Sequence, residues 1–288
     1  LMTHPVQYYT PWLQQLASRV SLQVFYAHNP TAEERGGPGF GTAVNWDIDL
    51  LKGYPHTFLR NVASDPDVDD HSFWGCDTPG VQEHIRGSFF DAFIVLGWHA
   101  KSFWQAIWAC KQEGIPVLAR GDSQLNPTMP QWKRMVKSIT HRLLLKAFDG
   151  FLSVGQRFDE YLCNYGVAES RIHRVPHLID VERFSRQAAV ACCEGAVQTL
   201  VRRLNVREQQ PVFLFVGKFI AKKRPADFIQ AVTRLKSFQR GTCPLGVLVG
   251  TGPLEPSLRQ LAEGLDAPVV FEGFRNQSEL PSYYALAD

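Results

Sequence analysis

The stretch Val212-Phe-Leu-Phe-Val-Gly-Lys-Phe-Ile-Ala-Lys-Lys-Arg-Pro225 decides the fold of this chain. Its first five residues are all apolar, a run that predicts a buried strand of a parallel sheet. Gly217 follows where a loop should lead into a helix, and glycine there lets backbone N–H groups approach an anion. Lys218 and Lys223 add two positive charges. The stretch therefore predicts a diphosphate site, and the alternative is that residues 218–224 form an exposed basic turn.

A second loop of the same kind occurs in Val247-Leu-Val-Gly-Thr-Gly-Pro-Leu254. It also begins with an apolar run and then reaches Gly250 and Gly252. Because a G-x-G after a strand is common to many nucleotide-binding folds, this loop is a weak signal alone. Its spacing from the first loop, and a third strand and turn in Val270-Phe-Glu-Gly-Phe274, strengthen the interpretation.

Predicted strands alternate with predicted helices along the whole chain, which indicates parallel sheets covered by helices on both faces. Strands are predicted at residues 21–26, 90–96, 117–119, 151–154 and 172–175, and helices at residues 101–113, 132–148, 156–165 and 197–204. The predicted fold class is α/β with two Rossmann-like domains. We place the first domain at residues 1–185, a linker region at 186–211 and the second domain at 212–288.

The motifs from residue 212 onward resemble the donor-binding domain of retaining GT-B glycosyltransferases of the family 4-like kind (glycosyl transferases group 1). The resemblance rests on strand-Gly-Lys-x4-Lys-Arg-Pro, Gly-x-Gly-Pro-Leu and Glu-Gly-Phe, and continues through Leu280-Pro-Ser-Tyr-Tyr-Ala-Leu-Ala-Asp288. It implies an N-terminal acceptor-side domain and a C-terminal nucleotide-sugar-binding domain. In the family an E-x7-E region follows, so the resemblance implies that this chain is truncated before it and that its C-terminal domain is incomplete.

The resemblance also implies roles for individual residues of the second domain. Lys218 and Lys223 would stabilise the charge that develops on the β-phosphate as the leaving group departs. Relatives usually have arginine in place of Lys218, and lysine lacks the bidentate fork of arginine. The implied donor-binding residues are Gly217, Gly250, Gly252, Pro253, Phe274 and Arg275. The alternative for Phe274 is packing between the domains.

Candidate residues of the first domain follow the predicted ends of strands, where α/β sheets place their ligands. Several relatives carry a histidine that contacts the donor sugar at the position where this chain has Asp122. The resemblance therefore gives Asp122 a catalytic role. The alternative is a helix cap or an Asx turn. His4, Gln7 and His99 are candidates for the acceptor side, although a lone histidine is more often structural.

Composition excludes several classes of protein. A net charge of +2 and the lack of a nucleic-acid motif give no indication of DNA or RNA binding. Six cysteines without C-x-x-C spacing favour reduced, buried thiols in a cytoplasmic protein. No metal or other cofactor is expected, because lysines and helix N-termini can neutralise a diphosphate. The D-x-D at residues 67–69 lies in a turn-rich loop, and we interpret it as incidental.

Two segments leave alternatives open. Residues 29–80 combine turn formers with scattered aromatics, which indicates either an acceptor-recognition loop or ordinary surface loops. The predicted helix at residues 132–148 has apolar residues at 132, 135, 136, 139 and 143, with its basic residues largely elsewhere. Such a helix either rests on anionic lipid headgroups, as a peripheral contact at the inner face of a membrane, or is a core helix with a solvated basic face.

The sequence therefore predicts a glycosyltransferase. It would move a sugar, of the hexosyl type, from a nucleotide-diphosphate sugar to a hydroxyl of a carbohydrate or lipid-linked acceptor with retention, in polysaccharide or glycolipid biosynthesis. Without the E-x7-E region, the chain alone is expected to be inactive. Two alternatives remain, a sugar-nucleotide epimerase of the same architecture and a non-catalytic partner module of a glycosyltransferase complex.

Overall fold

The computed structural model describes residues 1–35, 41, 43–68, 72–238 and 243–288. These residues form two compact units, the first from residues 1–30 and 50–179 and the second from residues 31–49 and 180–288. Parallel strands alternate with helices in both units, which confirms the predicted α/β class. Among the helices that the described residues form, none combines the length and apolar character needed to cross a lipid bilayer.

The first unit is built on parallel strands. In one sheet β1 (Val24–Tyr26) pairs with β2 (His56–Phe58), and in the other β3 (Phe93–Val95), β4 (Val117–Gly121), β5 (Gly150–Ser153) and β6 (Ile172–Arg174) follow one another. Leu1 and Met2 lie between the sheets: the N–H of Met2 donates to Phe25, and the carbonyl of Leu1 accepts from Leu96. The carboxyl ends of the strands therefore share one edge.

The described residues of the first unit form five α-helices. They are α1 (Thr10–Ala17), α2 (Val81–Arg86), α3 (Lys101–Gln112), α4 (Gln131–Leu144) and α5 (Gln156–Asn164). Phe103 on α3 and Phe158 and Tyr161 on α5 are buried in the core of the unit. Helix α4 differs, since none of its residues is buried. The chain returns to the core only after it, at Leu145 and Phe148.

The described residues of the second unit form a three-stranded parallel sheet with helices on both faces. Its strands β7 (Val212–Val216), β8 (Leu245–Val249) and β9 (Val269–Gly273) lie in sequence order, and its helices are α6 (Val181–Cys193), α7 (Ala196–Arg203), α8 (Pro225–Phe238), α9 (Glu255–Gly264) and α10 (Leu280–Leu286). Alternate residues of β8 serve opposite faces, as a strand requires. Val247 packs with Leu200 and Tyr283, whereas Leu248 packs with Ile229 and Leu258.

The units and the predicted domain ranges differ in two places. Residues 186–211, predicted as a linker region, hold part of α6 and all of α7, and Leu200 of α7 is buried in the second unit. Residues 31–49, predicted in the first domain, group with the second unit. Most of α6 was not predicted from the sequence. The helix begins where the Asp180 side chain accepts a hydrogen bond from the N–H of Arg183.

Two smaller predictions concern residues outside the main elements. The prediction of buried thiols holds for Cys76 and Cys110 and is wrong for Cys163, Cys192 and Cys193, which are exposed. Positions 36–40, 42 and 69–71 of the irregular segment lie outside the described residues. The D-x-D at residues 67–69 therefore cannot be placed in full.

Candidate functional site

Three loops meet at the carboxyl edge of the sheet in the second unit. The N–H of Gly217, after β7, donates to the carbonyl of Val249 at 3.0 Å, and the N–H of Phe219 donates to Thr251 at 2.9 Å. The N–H of Gly250, after β8, donates to Gly273 at the end of β9 at 2.8 Å. The structure therefore brings Gly217, Gly250 and the turn before Phe274 together, as the three motifs predict.

Gly250 is the closest point of approach between two of these loops. Its φ is +144°, and a Cβ built on it would stand 1.9 Å from the carbonyl oxygen of Gly217. No side chain fits there without moving backbone, because real Cβ contacts are far longer. Thus the glycine is required by the packing of the loops against each other. Gly252 and the exposed Pro253 complete the loop, and the N–H of Glu255 donates to Gly252 as α9 begins.

Lys218 and Lys223 are electrostatically coupled. Burial lowers the pKa of the half-buried Lys218, and the positive charge of Lys223 lowers it further. Lys223 is exposed in the short turn Ala221–Lys223 that leads into α8. An anion beside both ammonium groups would relieve this repulsion, which is what the diphosphate interpretation requires.

The other two basic residues of the turn behave differently. Lys222 is exposed, and Arg224 donates to the carboxylate of Asp227 on α8 at 2.6 Å. Arg224 also has the left-handed conformation, with a φ of +52°. Arg224 is therefore paired at the start of α8, whereas the charge of Lys223 acts on Lys218.

The third loop binds a segment from far earlier in the chain, residues 43–49. The Asn276 amide donates to the carbonyl of Asn45 at 2.6 Å and accepts from the N–H of Asp47 at 3.2 Å. The Asp47 carboxylate accepts from the N–H of Ser278 at 3.0 Å. The ring of Trp46 lies 6.0 Å from that of Phe274. Part of the predicted acceptor loop thus lies beside a predicted donor-binding residue.

Arg275 belongs to a cluster around a buried carboxylate. Its guanidinium lies 3.6 Å from Glu272 and 3.3 Å from Glu279, over the ring of Tyr283. The Glu272 side chain is 8% exposed and also accepts from the Tyr283 hydroxyl at 2.5 Å and from Arg203. The predicted nucleotide contact is therefore also held by charge pairing inside its own unit.

Asp122 follows β4 in the first unit and is exposed. It lines a cavity of about 470 Å³ together with residues 154–158 and Glu160. These residues include the first turn of α5, whose N–H groups point toward the start of the helix. The position at the carboxyl edge agrees with the predicted ligand side of the sheet.

Arg120 is a buried cation two residues before Asp122, and it was not predicted as a site residue. Only 3% of it is exposed, and it donates to the carbonyls of Val175 at 2.5 Å and Pro176 at 3.2 Å. Its guanidinium lies over the ring of Trp12 at 5.1 Å. Burial lowers its pKa, while a hydrogen bond with Tyr9 and the charge of Asp122 oppose that shift. The sequence signal for this residue is its position, because Arg120 directly follows the predicted strand at residues 117–119 and lies between the small residues Ala119 and Gly121.

The remaining acceptor-side candidates lie in loops after strand ends of the first unit. His4 and Gln7 are half-buried, and Nδ1 of His4 is 3.1 Å from the Thr3 hydroxyl. His99 packs edge-on against Phe103 with ring centroids 5.3 Å apart. Its ring also lies against Gly97, where a Cβ would be 3.1 Å from Nδ1. His99 is thus well packed, as the structural interpretation of a lone histidine expects.

Comparison with known proteins agrees with this geometry. Residues 210–288 match the family model described as glycosyl transferases group 1, and no curated protein matches the chain. Among solved structures, a glycosyltransferase from Rickettsia africae has 14% identity and a TM-score of 0.65, with 98% of this chain and 66% of that one covered.

Two further solved structures are similar over the same extent. Anabaena HepE, crystallised with UDP and glucose, has 14% identity and a TM-score of 0.58, with 98% of this chain and 67% of that one covered. WaaG, a glycosyltransferase involved in lipopolysaccharide biosynthesis, has 14% identity and a TM-score of 0.53, with 98% and 68% covered. The chain spans about two thirds of the length of these structures. The chain has the GT-B fold, and its residues 210–288 are similar to the group 1 glycosyl transferases.

Proposed function

We propose that this chain acts in a retaining glycosyltransferase, which moves a sugar from a nucleotide-diphosphate sugar to a hydroxyl of a carbohydrate or lipid-linked acceptor. The observation that carries the proposal is the meeting of Gly217, Gly250 and the Lys218–Lys223 pair at one edge of the second unit. Backbone packed this closely, with two coupled cations beside it, suits a diphosphate. HepE, which shares the fold, was crystallised with UDP-glucose.

The chemistry assigned to the lysines follows from the reaction. When the bond between the sugar and the diphosphate breaks, negative charge accumulates on the leaving phosphate. Cations already in position stabilise that charge without reorganisation, which lowers the barrier. The proposal requires no metal, because Lys218, Lys223 and the N-terminus of α8 supply positive charge to the same region.

The roles on the acceptor side are proposed from position. Asp122 and its cavity lie at the carboxyl edge of the four-stranded sheet in the first unit. His4, Gln7 and His99 lie in neighbouring loops. A carboxylate there can accept hydrogen bonds from sugar hydroxyls or orient the attacking hydroxyl. A role in polysaccharide or glycolipid synthesis, a cytoplasmic location and hexosyl transfer are further parts of the proposal. WaaG, of the same fold, is involved in lipopolysaccharide biosynthesis.

The experiment measures binding and turnover separately. UDP- and GDP-sugars are titrated calorimetrically into the chain and into the protein as its gene encodes it, and release of nucleoside diphosphate is followed with and without acceptors. We expect binding to be lost in Lys218→Ala/Lys223→Ala, and release to depend on an acceptor. We expect the 288 residues alone to show no turnover.

Two outcomes would replace the proposal. Release of UDP with an epimerised sugar in the absence of any acceptor would assign the protein to the sugar-nucleotide epimerases. Failure of the encoded protein to bind any nucleotide-sugar would favour a non-catalytic partner module.

A further inference from the structure

Helix α4 directs its apolar face toward solvent, which is the reverse of an ordinary amphipathic helix on a globular unit. Normally the apolar stripe of an amphipathic helix faces the core. In α4 the residues that approach the rest of the first unit are Lys137, Ser138, His141 and Leu144, and none of them is fully buried. Three of these four are polar or charged, so the apolar face of the helix is directed elsewhere.

The inner face is held by one contact between a cation and an aromatic ring and by one contact between two rings. The ammonium of Lys137 lies 5.2 Å from the ring centre of Tyr161 on α5, and the ring of His141 lies 5.2 Å from that of Tyr165. Burial is the main cause that lowers the pKa of both side chains. These polar contacts fix which face of α4 points outward.

The outward face carries five large apolar side chains in one stripe. Their exposed fractions lie between 53% and 66%, and the residues are Trp132, Met135, Val136, Ile139 and Leu143. Their spacing of three and four residues places them on the same side of the helix. Single exposed apolar residues are ordinary, but a contiguous stripe of this kind marks an interaction surface. The interpretation of this segment as a core helix is therefore wrong for the described residues.

The charges around the stripe have one sign. Lys133, Arg134, Arg142 and Lys146 are exposed on or just after α4. No Asp or Glu occurs in the sequence between Asp122 and Asp149. Large apolar side chains flanked by cations, on a stretch of sequence without carboxylates, are the composition of helices that lie in the interface of an anionic bilayer.

We propose that α4 lies on an anionic membrane surface, with the stripe from Trp132 to Leu143 among the acyl chains and Lys133 and Arg142 at the lipid phosphates. This inference is independent of the proposed transfer reaction, since it rests only on the first unit. The positive charge around the stripe favours an anionic membrane over a second copy of the chain. An isologous contact through α4 would bring the same cations face to face, which repels.

The test is co-sedimentation of the chain with vesicles of phosphatidylglycerol and phosphatidylcholine, compared with phosphatidylcholine alone. We expect binding to the anionic vesicles and a decrease as salt is raised. Trp132→Gln should lower the partition coefficient at least tenfold, the order of magnitude for one large apolar side chain. Arg142→Gln should lower it about fivefold.

Two matched variants test whether the loss of vesicle binding is specific to α4 or follows from the loss of any exposed tryptophan or positive charge. Trp108→Gln removes a tryptophan of α3 that is exposed to the same extent, 63%, as Trp132. Arg202→Gln removes an exposed charge from α7. Both should bind within about twofold of the unchanged chain, and circular dichroism checks that all four variants fold. No binding to anionic vesicles, or equal losses in Trp132→Gln and Trp108→Gln, would overturn the proposal. So would a concentration-dependent dimer that Trp132→Gln abolishes.

Discussion

Gly250 faces the carbonyl oxygen of Gly217 across a gap that no side chain can enter, since a Cβ on Gly250 would stand 1.9 Å from that oxygen. The contact joins the loop after β7 to the loop after β8, and both candidate lysines belong to the first of these. The position of the cations therefore depends on a residue that carries no charge.

We expect Gly250→Ala to lower the free energy of unfolding of the chain by about 3 kcal/mol, because the backbone of one loop must move. Binding of UDP-sugars should be lost as well. The control is Gly264→Ala near the end of α9, where a Cβ meets nothing within 4 Å. It should leave stability unchanged or raise it by up to about 1 kcal/mol. Equal effects of the two substitutions in chemical denaturation would contradict the close approach.

In the protein as its gene encodes it, Lys223→Ala should reduce turnover more than it reduces acceptor affinity. Removing one preorganised cation from such a site costs about 3 kcal/mol in the barrier, or more than a hundredfold in kcat. Lys218→Ala should behave similarly, and Lys218→Arg should be tolerated. Lys222→Ala is the matched control and should change kcat little. An unchanged kcat in Lys223→Ala, with only a raised KM for the acceptor, would reject the phosphate role.

The lowered pKa of Lys218 predicts a pH dependence of donor binding. Above this pKa, and still below 10.5, the Lys218 side chain is neutral before the donor binds, whereas a bound diphosphate favours the ammonium form. Binding in that window should therefore take up a proton, and affinity should fall as pH rises. Calorimetry in buffers of different ionisation enthalpy measures the uptake. Lys218→Arg should abolish it, because arginine keeps its proton throughout; uptake that persists in this variant would assign the proton to another group.

The same shift sets the sign of a stability change. The unfolded state holds the Lys218 proton more tightly than the folded state in this pH window, so the free energy of unfolding should rise with pH there.

Arg120→Ala should destabilise the first unit by about 3 kcal/mol. The substitution leaves the carbonyls of Val175 and Pro176 without their donors, and it removes the cation over Trp12. Arg19→Ala, at an exposed position after α1, should change the free energy of unfolding by less than about 0.5 kcal/mol. Urea denaturation followed by tryptophan fluorescence distinguishes the two. Similar midpoints would show that the buried guanidinium contributes little.

Glu272→Gln should destabilise the second unit by about 2 kcal/mol. Breaking a buried ion pair costs about 3–5 kcal/mol, and we expect a cost below this range because Arg203, at 45% exposure, can turn to solvent. The control is Glu255→Gln, which removes a surface pair with Arg259 on α9 and should cost about 0.5 kcal/mol or less. If thermal unfolding of Glu272→Gln matches that of Glu255→Gln, the cluster is not a source of stability.

The sequence was a good guide wherever a local pattern set the outcome. The apolar runs at Val212–Val216 and Val247–Val249 lie in strands because successive apolar residues fit a sheet covered on both faces. Gly217 and Gly250 could be placed beside each other because parallel strands end at one edge. Together with the alternation of strands and helices along the chain, these patterns predict the α/β fold and the meeting of the two glycine loops, and the roles of the site residues stay predictions.

Relationships between distant segments were not accessible in the same way. Nothing local indicates that Trp46 meets Phe274, or that Glu272 gathers Arg203, Tyr283 and Arg275. Similarly, the pattern of α4 identifies its apolar stripe but not its direction. That direction depends on Tyr161 and Tyr165 of another helix, which stack against the polar face.

The hydrogen bonds between Asp47 and the loop at Asn276 and Ser278 have a consequence for synthesis on the ribosome. The earlier partner emerges long before the later ones, and at roughly 5–20 residues per second the interval is on the order of 10–50 s. During that time residues 43–49 have no site to dock on, although the strands of the first unit can already pair. Residues 43–49 are therefore synthesised before most of the first unit, but they dock only after the C-terminal part of the second unit has been made.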